Sequence, residues 1–343
     1  MRVADFDYDL PAELIAQRPL PRRDDARMMV VGKDDGRIVH ARFKDLTEFL
    51  RAGEILVLND TRVIPAKAWG TRDRAKVEFL FIKERELGSW EVLCRPARRL
   101  RTGDTCRFAP GFEGRVIEEG DEGRRVLHFA SPDVLSRLKD IGFAPLPPYI
   151  KRHKEDAERR EEDLERYQTV FARRDGAIAA PTAGLHFTPD TLAALERRGV
   201  GVVTVTLEVG PATFQPVRVE TVEEHRMLEE RYTVTPETAE RLTTAKRSRT
   251  PVTAVGTTVV RTLESSWKDG GLRPGTRKTD LFIYPGFAFQ VVDRLLTNFH
   301  LPRSTLLMLV SAFGGYDLIK QAYREAIRER YRFYSYGDCM LIL

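Results

Sequence analysis

The sequence has few of the features that mark secreted, zinc-stabilised or membrane-spanning proteins. Its 343 residues include three cysteines, Cys94, Cys106 and Cys339, and no CxxC pair. This scatter excludes a disulfide framework and a structural zinc ribbon and is typical of the reducing cytosol. The longest aliphatic runs, such as Leu306–Val310, are far shorter than the ~20 residues that span a bilayer. The opening MRVADFDYDL has no apolar run, so we expect no secretory signal and a cytoplasmic location.

The chain also has little net excess of positive over negative charge. Lysine and arginine number 56 against 51 acidic residues, which gives a net charge of +5, and 42% of the residues are hydrophobic. Such a composition is typical of globular proteins and excludes a disordered chain. The small positive excess is only a mild bias towards polyanionic partners.

The pattern of apolar residues changes twice along the chain. Segments 1–65 and 150–343 predict strands alternating with helices, whereas 66–149 predicts short strands separated by Gly, Asp and charge clusters. We therefore predict an α/β fold. A discontinuous mixed-sheet α/β layer domain (1–65 and 150–343) would carry an inserted small antiparallel β-barrel domain (66–149).

Several elements of the layer domain can be placed from local signals. Buried strands are predicted at Ile55–Asp60, 200–209 and 251–256. Threonine-proline pairs at Thr188 and Thr235 predict the starts of two helices. A strand is predicted at 279–284, and helices near 289–297, 304–313 and 317–330. The highly charged segment 151–166 predicts a solvated helix or connector, with a flap over a substrate as the alternative.

Two segments carry polar residues beyond predicted strands. LNDTRVIPA places Asn59, Asp60, Thr61 and Arg62 after a buried strand, where ligands bind in open α/β sheets. A turn that caps its own backbone is the alternative. AAPTAGLHFTP leads through Thr182 and Gly184 to His186, which can transfer a proton near neutral pH. A capped loop with a packed histidine is the alternative.

Two further segments precede predicted helices. AVGTTVVRTLES turns from a strand into a helix at Thr257 and Thr258, a geometry that suits an anion. It lacks the spacing of a nucleotide P-loop. TNFHLPRST places Asn298 and His300 between two predicted helices, as a ligand edge or as a helix–helix corner. In the barrel, Arg95, Arg98, Arg99 and Arg101 could contact phosphates, and a solvated rim is the alternative.

Together these segments resemble the S-adenosylmethionine:tRNA ribosyltransferase-isomerase family of queuosine biosynthesis. The similarity runs from end to end and includes DFDYDLPAELIAQRPLPRRDDARMM, LVLNDTRVIPA, PLPPYIKR, GAIAAPTAGLHFT, AVGTTVVRTLES, TDLFIYPGFAFQVVDRLLTNFHLPRSTLLMLVSAFGG and SYGDCMLIL. The resemblance implies an α/β domain with an inserted β-barrel, as the pattern of residues indicates independently.

The resemblance also implies a reaction. The ribosyl part of S-adenosylmethionine would be transferred and isomerised onto 7-aminomethyl-7-deazaguanine in a tRNA anticodon. The products would be epoxyqueuosine in tRNA, adenine and methionine. S-adenosylmethionine would be a consumed substrate, and we expect no resident cofactor, no metal and a monomeric protein.

The proposed route begins with removal of a proton next to the sulfonium. Residues within the shared motifs are candidates for this chemistry. We predict His186, His300 and Asp60 as the titratable catalytic residues, and the sequence does not assign acid and base between the histidines. Arg62 and Arg261 could hold a carboxylate or phosphate. Further substrate contacts are predicted for Asn59, Thr61, Thr182, Gly184, Thr257, Thr258 and Asn298.

The chain departs from the family pattern at three positions. The family commonly has histidine in place of Glu208 and Leu228, and glycine in place of Ala212. We interpret these changes as showing that neither histidine is indispensable, and altered activity is the alternative. A conventional methyltransferase is the rival enzyme class, but its glycine-rich turn after a first strand is missing. A noncatalytic RNA-binding protein is the rival from another class.

Overall fold

The fold is described from a computed structural model that covers residues 1–152, 159–210 and 217–343. The strands are β1 Arg27–Val31, β2 Ile38–Arg42, β3 Ile55–Asn59, β4 Thr61–Val63, β5 Lys67–Arg72, β6 Ala75–Glu86, β7 Ser89–Arg95, β8 Thr105–Ala109, β9 Phe112–Glu119, β10 Arg124–Phe129, β11 Arg174–Ala177, β12 Gly201–Leu207, β13 Glu230–Val234, β14 Val252–Val255, β15 Trp267–Lys268, β16 Gly271–Leu272, β17 Gly275–Thr279, β18 Arg294–Asn298 and β19 Cys339–Ile342. The helices are α1 Leu46–Phe49, α2 Val134–Ile141, α3 Arg160–Arg166, α4 Pro189–Arg197, α5 Pro236–Arg247, α6 Thr257–Ser266, α7 Thr305–Gly314 and α8 Tyr316–Arg328.

The described strands form a large mixed sheet in the order β17-β13-β12-β3-β14-β18-β19-β1-β2. The central strands β12, β3, β14 and β18 run parallel to one another. Along β3, Ile55 and Val57 belong to one apolar cluster, and Leu56 and Leu58 belong to another. Successive side chains of a strand point to opposite faces, so the sheet separates two cores, as an α/β layer fold requires.

The predicted barrel is confirmed. Strands β10-β7-β6-β5-β8-β9 close into an antiparallel barrel around its own apolar cluster, which includes Phe79, Phe81, Phe112 and Phe129. Closure removes the unpaired strand edges that a small open sheet would expose. The barrel strands lie within the predicted insert, and the exact boundaries at 65/66 and 149/150 stay a prediction.

Most local signals act as predicted. Thr188 and Thr235 accept hydrogen bonds from the backbone N–H groups of Thr191 and Thr238, and each caps a helix with proline in its first turn. Ser304 caps α7 in the same way. Within the charged segment 151–166, the structure describes helix α3, and residues 153–158 lie outside the described part of the chain.

Two predicted elements are wrong. The strand predicted at 279–284 ends at Thr279, because Leu281 leaves the sheet edge and its carbonyl accepts the Arg261 Nε–H at 3.0 Å. The helix predicted near 289–297 is replaced by β18, which lies between β14 and β19. Just before β18, the backbone N–H groups of Val291 and Val292 donate to the Glu264 carboxylate. In both segments, long-range contacts determine a backbone conformation that differs from the one that the local apolar pattern predicts.

Candidate active site

A pocket opens at the carboxyl ends of the central parallel strands, beyond β14 and β18. It has a volume of about 720 Å³ when the open space at its mouth is counted. The lining residues are Tyr149, Tyr167, Ala179, Ala180, Pro181, Thr182, Ala183, Val209, Gly256, Thr257, Thr258, Thr297, Asn298, Phe299, His300, Leu301, Ser304, Leu306, Tyr334 and Ser335. This is the edge at which open α/β sheets bind ligands.

Asn298, the last residue of β18, lines the pocket and carries an acceptor that is unpaired among the described residues. Its Nδ2 donates to the carbonyls of Tyr334 at 3.1 Å and Asp338 at 3.4 Å. Carbonyls only accept, so the amide nitrogen must face them and Oδ1 is the remaining end. This oxygen is buried and has no partner among the described residues. An unsatisfied buried acceptor costs about 1–3 kcal/mol, so a ligand N–H would remove a standing penalty.

His186 lies behind Asn298 and does not line the pocket. It ends the 3-10 helix Thr182–His186, its Nε2 lies 3.3 Å from Asn298 Nδ2, and its ring tilts against Phe43. Burial, with a smaller effect from the charges of Arg332 and Arg23, lowers its pKa to about 4. The ring is therefore neutral at neutral pH, and its position favours support of Asn298.

His300 lines the pocket and is held on several sides. Its Nε2 lies 2.8 Å from Thr297 Oγ1, its backbone N–H donates to the Tyr323 hydroxyl, and its carbonyl accepts from the Tyr8 hydroxyl. Burial lowers the pKa of His300 to about 3. Nδ1 has no hydrogen-bond partner within the part of the chain that the structure describes. If Nε2–H donates to Thr297, Nδ1 keeps its lone pair for a substrate.

The start of α6 supplies backbone donors to the same pocket. Gly256, with φ of 90°, makes the turn from β14, a conformation that suits glycine. The N–H groups of Thr257 and Thr258 open the helix, where the first turn leaves donors unpaired. Both threonines line the pocket. Donors and helix dipole together favour a bound carboxylate or phosphate.

The residues of LNDTRV lie at the correct sheet edge but outside the lining of the pocket. Asn59 bonds through both ends of its amide with the backbone of Leu207, and its Nδ2 also lies 3.2 Å from Thr258 Oγ1. Asp60 Oδ1 accepts from Thr206 Oγ1 at 2.5 Å. Thr61 is fully buried. The self-capping alternative accounts for one contact, from the Thr61 N–H to Asn59 Oδ1 at 3.1 Å, whereas the contacts above join the segment to β12 and α6. The roles of these residues in substrate binding or catalysis stay predictions.

Neither predicted arginine clamp reaches the pocket. Arg62 is exposed, donates to the Ala172 carbonyl and lies 3.7 Å from Asp175. Arg261 is buried in an ion pair with Glu230. A buried guanidinium already paired in this way chiefly holds α6 against β13, although its Nη2 has no partner among the described residues.

The PTAGLH segment contributes unequally. Thr182 lines the pocket, whereas Gly184 packs below it. A Cβ at Gly184 would lie 2.8 Å from Phe171 Cζ and 2.9 Å from Thr169 Cγ2. The glycine therefore permits close packing of the chain, and its predicted substrate contact is untested.

Sequence reasoning missed the aromatic wall of the pocket. Tyr149, Tyr167, Tyr334 and Ser335 line it, and Tyr149 Oη lies 2.7 Å from Ser335 Oγ. The motifs PLPPYIKR and SYGDCMLIL, which contain Tyr149 and Ser335, were the available signal. Tyrosine rings offer flat apolar surfaces with a polar edge, which suits a heterocyclic base.

Two of the three departures from the family pattern, Glu208 and Leu228, lie outside the pocket lining. Glu208 follows β12 and lies 3.8 Å from Arg231, and burial raises its carboxyl pKa. Leu228 is exposed. Ala212 lies outside the described residues. The effect of the three changes on activity stays a prediction.

The predicted RNA-contacting arginines gather near the barrel end that follows β7. Arg95, Arg98, Arg99 and Arg101 are all exposed. Arg101 Nη1 lies 3.3 Å from Glu119, so one of the four is already paired with an acid. Their role in RNA binding is untested.

The described residues include neither a membrane-spanning helix nor a metal-binding cluster. Within 1–152, 159–210 and 217–343, no helix is both long and apolar enough to cross a bilayer. In the same ranges, no group of three or more His, Cys, Asp and Glu side chains could hold a metal ion.

Comparison with known proteins gives full-length matches. The sequence model of the family described as queuosine biosynthesis protein matches residues 3–342. Proteins named S-adenosylmethionine:tRNA ribosyltransferase-isomerase from Carboxydothermus hydrogenoformans and Desulforamulus reducens are 49% and 47% identical, with both chains covered in full. A crystal structure of S-adenosylmethionine tRNA ribosyltransferase from Thermotoga maritima is 38% identical, with a TM-score of 0.57 over 99% of this chain and 100% of that one. The chain belongs to the queuosine biosynthesis protein family.

Proposed function

We propose that this protein is an S-adenosylmethionine:tRNA ribosyltransferase-isomerase, which transfers and isomerises the ribosyl group of S-adenosylmethionine onto tRNA. Full-length relatives with this name support the activity. The observation on this chain that carries the proposal is the buried, unpaired Oδ1 of Asn298, a lining residue of the pocket at the strand ends. The finer acceptor is 7-aminomethyl-7-deazaguanine in the anticodon, with adenine and methionine as products.

The pocket offers complementary groups for the parts of S-adenosylmethionine. The helix start at Thr257 and Thr258 suits the methionyl carboxylate. The tyrosine wall suits the adenine ring, and Asn298 Oδ1 suits an N–H of the adenine or of the ammonium group. We assign no resident cofactor and no metal, because S-adenosylmethionine itself supplies the activated carbon.

We assign proton removal next to the sulfonium to His300, because it lines the pocket whereas His186 and Asp60 do not. Its low pKa, caused by burial, leaves the ring neutral and able to accept at neutral pH. The same low pKa makes it a weak base, so the sulfonium must supply most of the acidity of the C–H bond. His186 serves as a positioning residue, which holds the Asn298 amide from behind.

The test is a product assay with S-adenosylmethionine and tRNA that carries the deazaguanine precursor. We expect adenine and methionine to appear only when this tRNA is present. Release of S-adenosylhomocysteine would instead establish a methyltransferase, and tRNA binding without small-molecule products would establish a binding protein.

Variants then test the roles of the residues. We expect His300→Gln to lower the rate of adenine release about 10²- to 10⁴-fold, the usual contribution of a general base. The matched control is His40→Gln, because His40 lies on the edge strand β2 and contacts Tyr331. A fully active His300→Gln variant would refute the assignment of the base while leaving the overall activity established.

A further inference from the structure

A second concave site lies on the barrel and shares no residue with the pocket of the layer domain. This barrel groove has a volume of about 880 Å³ when the open space at its mouth is counted. It is lined by Trp69, Thr71, Lys76, Arg107, Phe108, Ala109, Pro110, Gly111 and Glu113. Its floor is therefore aromatic and apolar, and its rim is charged.

The outward direction of Trp69 follows from the alternation of β5. Ala68 and Gly70 are buried and face the barrel core, so Trp69 between them points outwards and is half-buried. Its indole N–H has no partner within the described part of the chain. An aromatic ring on an outer strand face contributes little to the barrel core, which already holds its own phenylalanine cluster.

Basic side chains surround this ring. Lys76 Nζ lies 4.7 Å and Lys67 Nζ 5.8 Å from the centre of the Trp69 ring system. Glu78 pairs with Lys67 at 2.8 Å. Lys76 has no acidic partner among the described residues, so its charge is available to a ligand.

The basic surface continues across neighbouring strands. Glu78 is in register with both Trp69 and Arg95, and residues in register on adjacent strands share a face. Arg107 is in register with Thr71, and its charge is partly offset by Glu113 at 2.7 Å. Four cations and two carboxylates therefore share the outer barrel face that carries the half-buried Trp69 ring.

We propose that the barrel groove binds an unpaired nucleotide of the tRNA substrate. Its base stacks on Trp69 and its phosphate lies beside Lys76 and Arg107. Single-stranded nucleic acids are bound by aromatic platforms within positively charged grooves, and proteins recognise RNA mostly where bases are unstacked. This inference rests on the proposed function, because that function supplies tRNA as the occupant.

The position of the groove suits a substrate that also enters the active-site pocket. Ile178 packs in the barrel core, and its neighbour Ala179 lines the pocket. The barrel that carries the groove therefore adjoins the pocket, as a substrate that reaches both sites requires.

The experiment titrates the full-length protein into an unmodified tRNA transcript that carries a terminal fluorophore, without S-adenosylmethionine, with fluorescence anisotropy as the readout. We expect wild type to bind and Trp69→Ala to weaken binding roughly 5- to 150-fold, the range that one stacked base provides. Trp69→Phe keeps a stacking surface and should retain most of the affinity. Trp267→Phe is the matched control, because Trp267 is half-buried in the layer domain.

Salt dependence gives a second, independent readout. We expect Lys76→Ala to reduce the slope of log affinity against log salt by roughly one. Lys268→Ala, which removes an exposed lysine far along the chain on β15, should leave the slope unchanged. At saturating tRNA, the rate of adenine release should be the same for Trp69→Ala and wild type, with KM for tRNA raised.

Several outcomes would overturn the inference. One is a folded Trp69→Ala variant that binds tRNA with wild-type affinity. Another is a variant whose sedimentation coefficient changes while its tRNA affinity does not, because the groove would then be a self-association surface. Failure of the proposed function looks different. The wild-type protein would then release no adenine, whatever the effect of Trp69 on tRNA binding.

Discussion

The two buried histidines should make the protein lose stability on mild acidification. His186 and His300 are 4% and 8% exposed, and burial lowers their pKa values to about 4 and about 3, from 6.5 for a free side chain. Below pH ~6.5 the unfolded chain binds a proton at each histidine, whereas the folded protein does not until near the lowered values. The stabilisation is therefore present above pH ~6.5 and is lost as the pH falls.

The magnitude follows from proton linkage. Between pH ~7 and ~5, each histidine with an unfolded pKa of 6.5 and a much lower folded pKa lowers the free energy of unfolding by about 2 kcal/mol. Burial raises the pKa of the Glu264 and Asp338 carboxyls. Protonation of these two groups therefore raises the free energy of unfolding as the pH falls, opposite to the effect of the histidines. The difference between a histidine variant and wild type isolates the histidine contribution.

The assay is urea unfolding of wild type and His300→Gln at pH ~7, ~6 and ~5. Between pH ~7 and ~5, we expect the unfolding free energy of the variant to fall by about 2 kcal/mol less than that of wild type. This difference holds even if the variant is less stable at every pH. His40→Gln is the control and should lose as much as wild type, because both buried histidines remain. Equal losses in His300→Gln and wild type would show that His300 titrates in the folded protein as it does in the unfolded chain, which would refute its burial as described.

Three further changes test the fold around the pocket. Glu230→Gln leaves the buried Arg261 guanidinium without its counter-charge and should cost about 3–5 kcal/mol of unfolding free energy; Glu229→Gln, which breaks an exposed pair, should change the melting temperature very little. Gly184→Ala forces a Cβ to within 3 Å of two side chains and should cost about 1–3 kcal/mol in chemical unfolding, and an unchanged denaturation midpoint would contradict this packing. Thr188→Ala removes the cap of α4 and should cost about 1 kcal/mol, with Thr188→Ser as the variant that restores stability.

The sequence alone was enough for the features that depend on neighbouring residues. The caps at Thr188 and Thr235, the buried strand at β3 and the change of pattern at the barrel all arise from signals within a few positions. Resemblance over the whole chain indicated the family, because many motifs in a fixed order constrain one another. Thr257 was a candidate because it follows a strand end that the pattern could place. Asn298 and His300 were candidates because they stand between two predicted helices, the first of which is a strand in the structure.

Only the tertiary structure decided which of those candidates share a pocket. The structure brings His300 to the surface of the pocket and leaves His186 behind Asn298, although both histidines stand in equally suggestive motifs. It pairs Arg261 of α6 with Glu230 of β13. It also makes 294–298 a strand, because β14 and β19 flank this segment. These outcomes depend on partners from 31 to more than 100 positions away. A local pattern records how a residue can behave, whereas burial and long-range hydrogen bonds fix what it contacts.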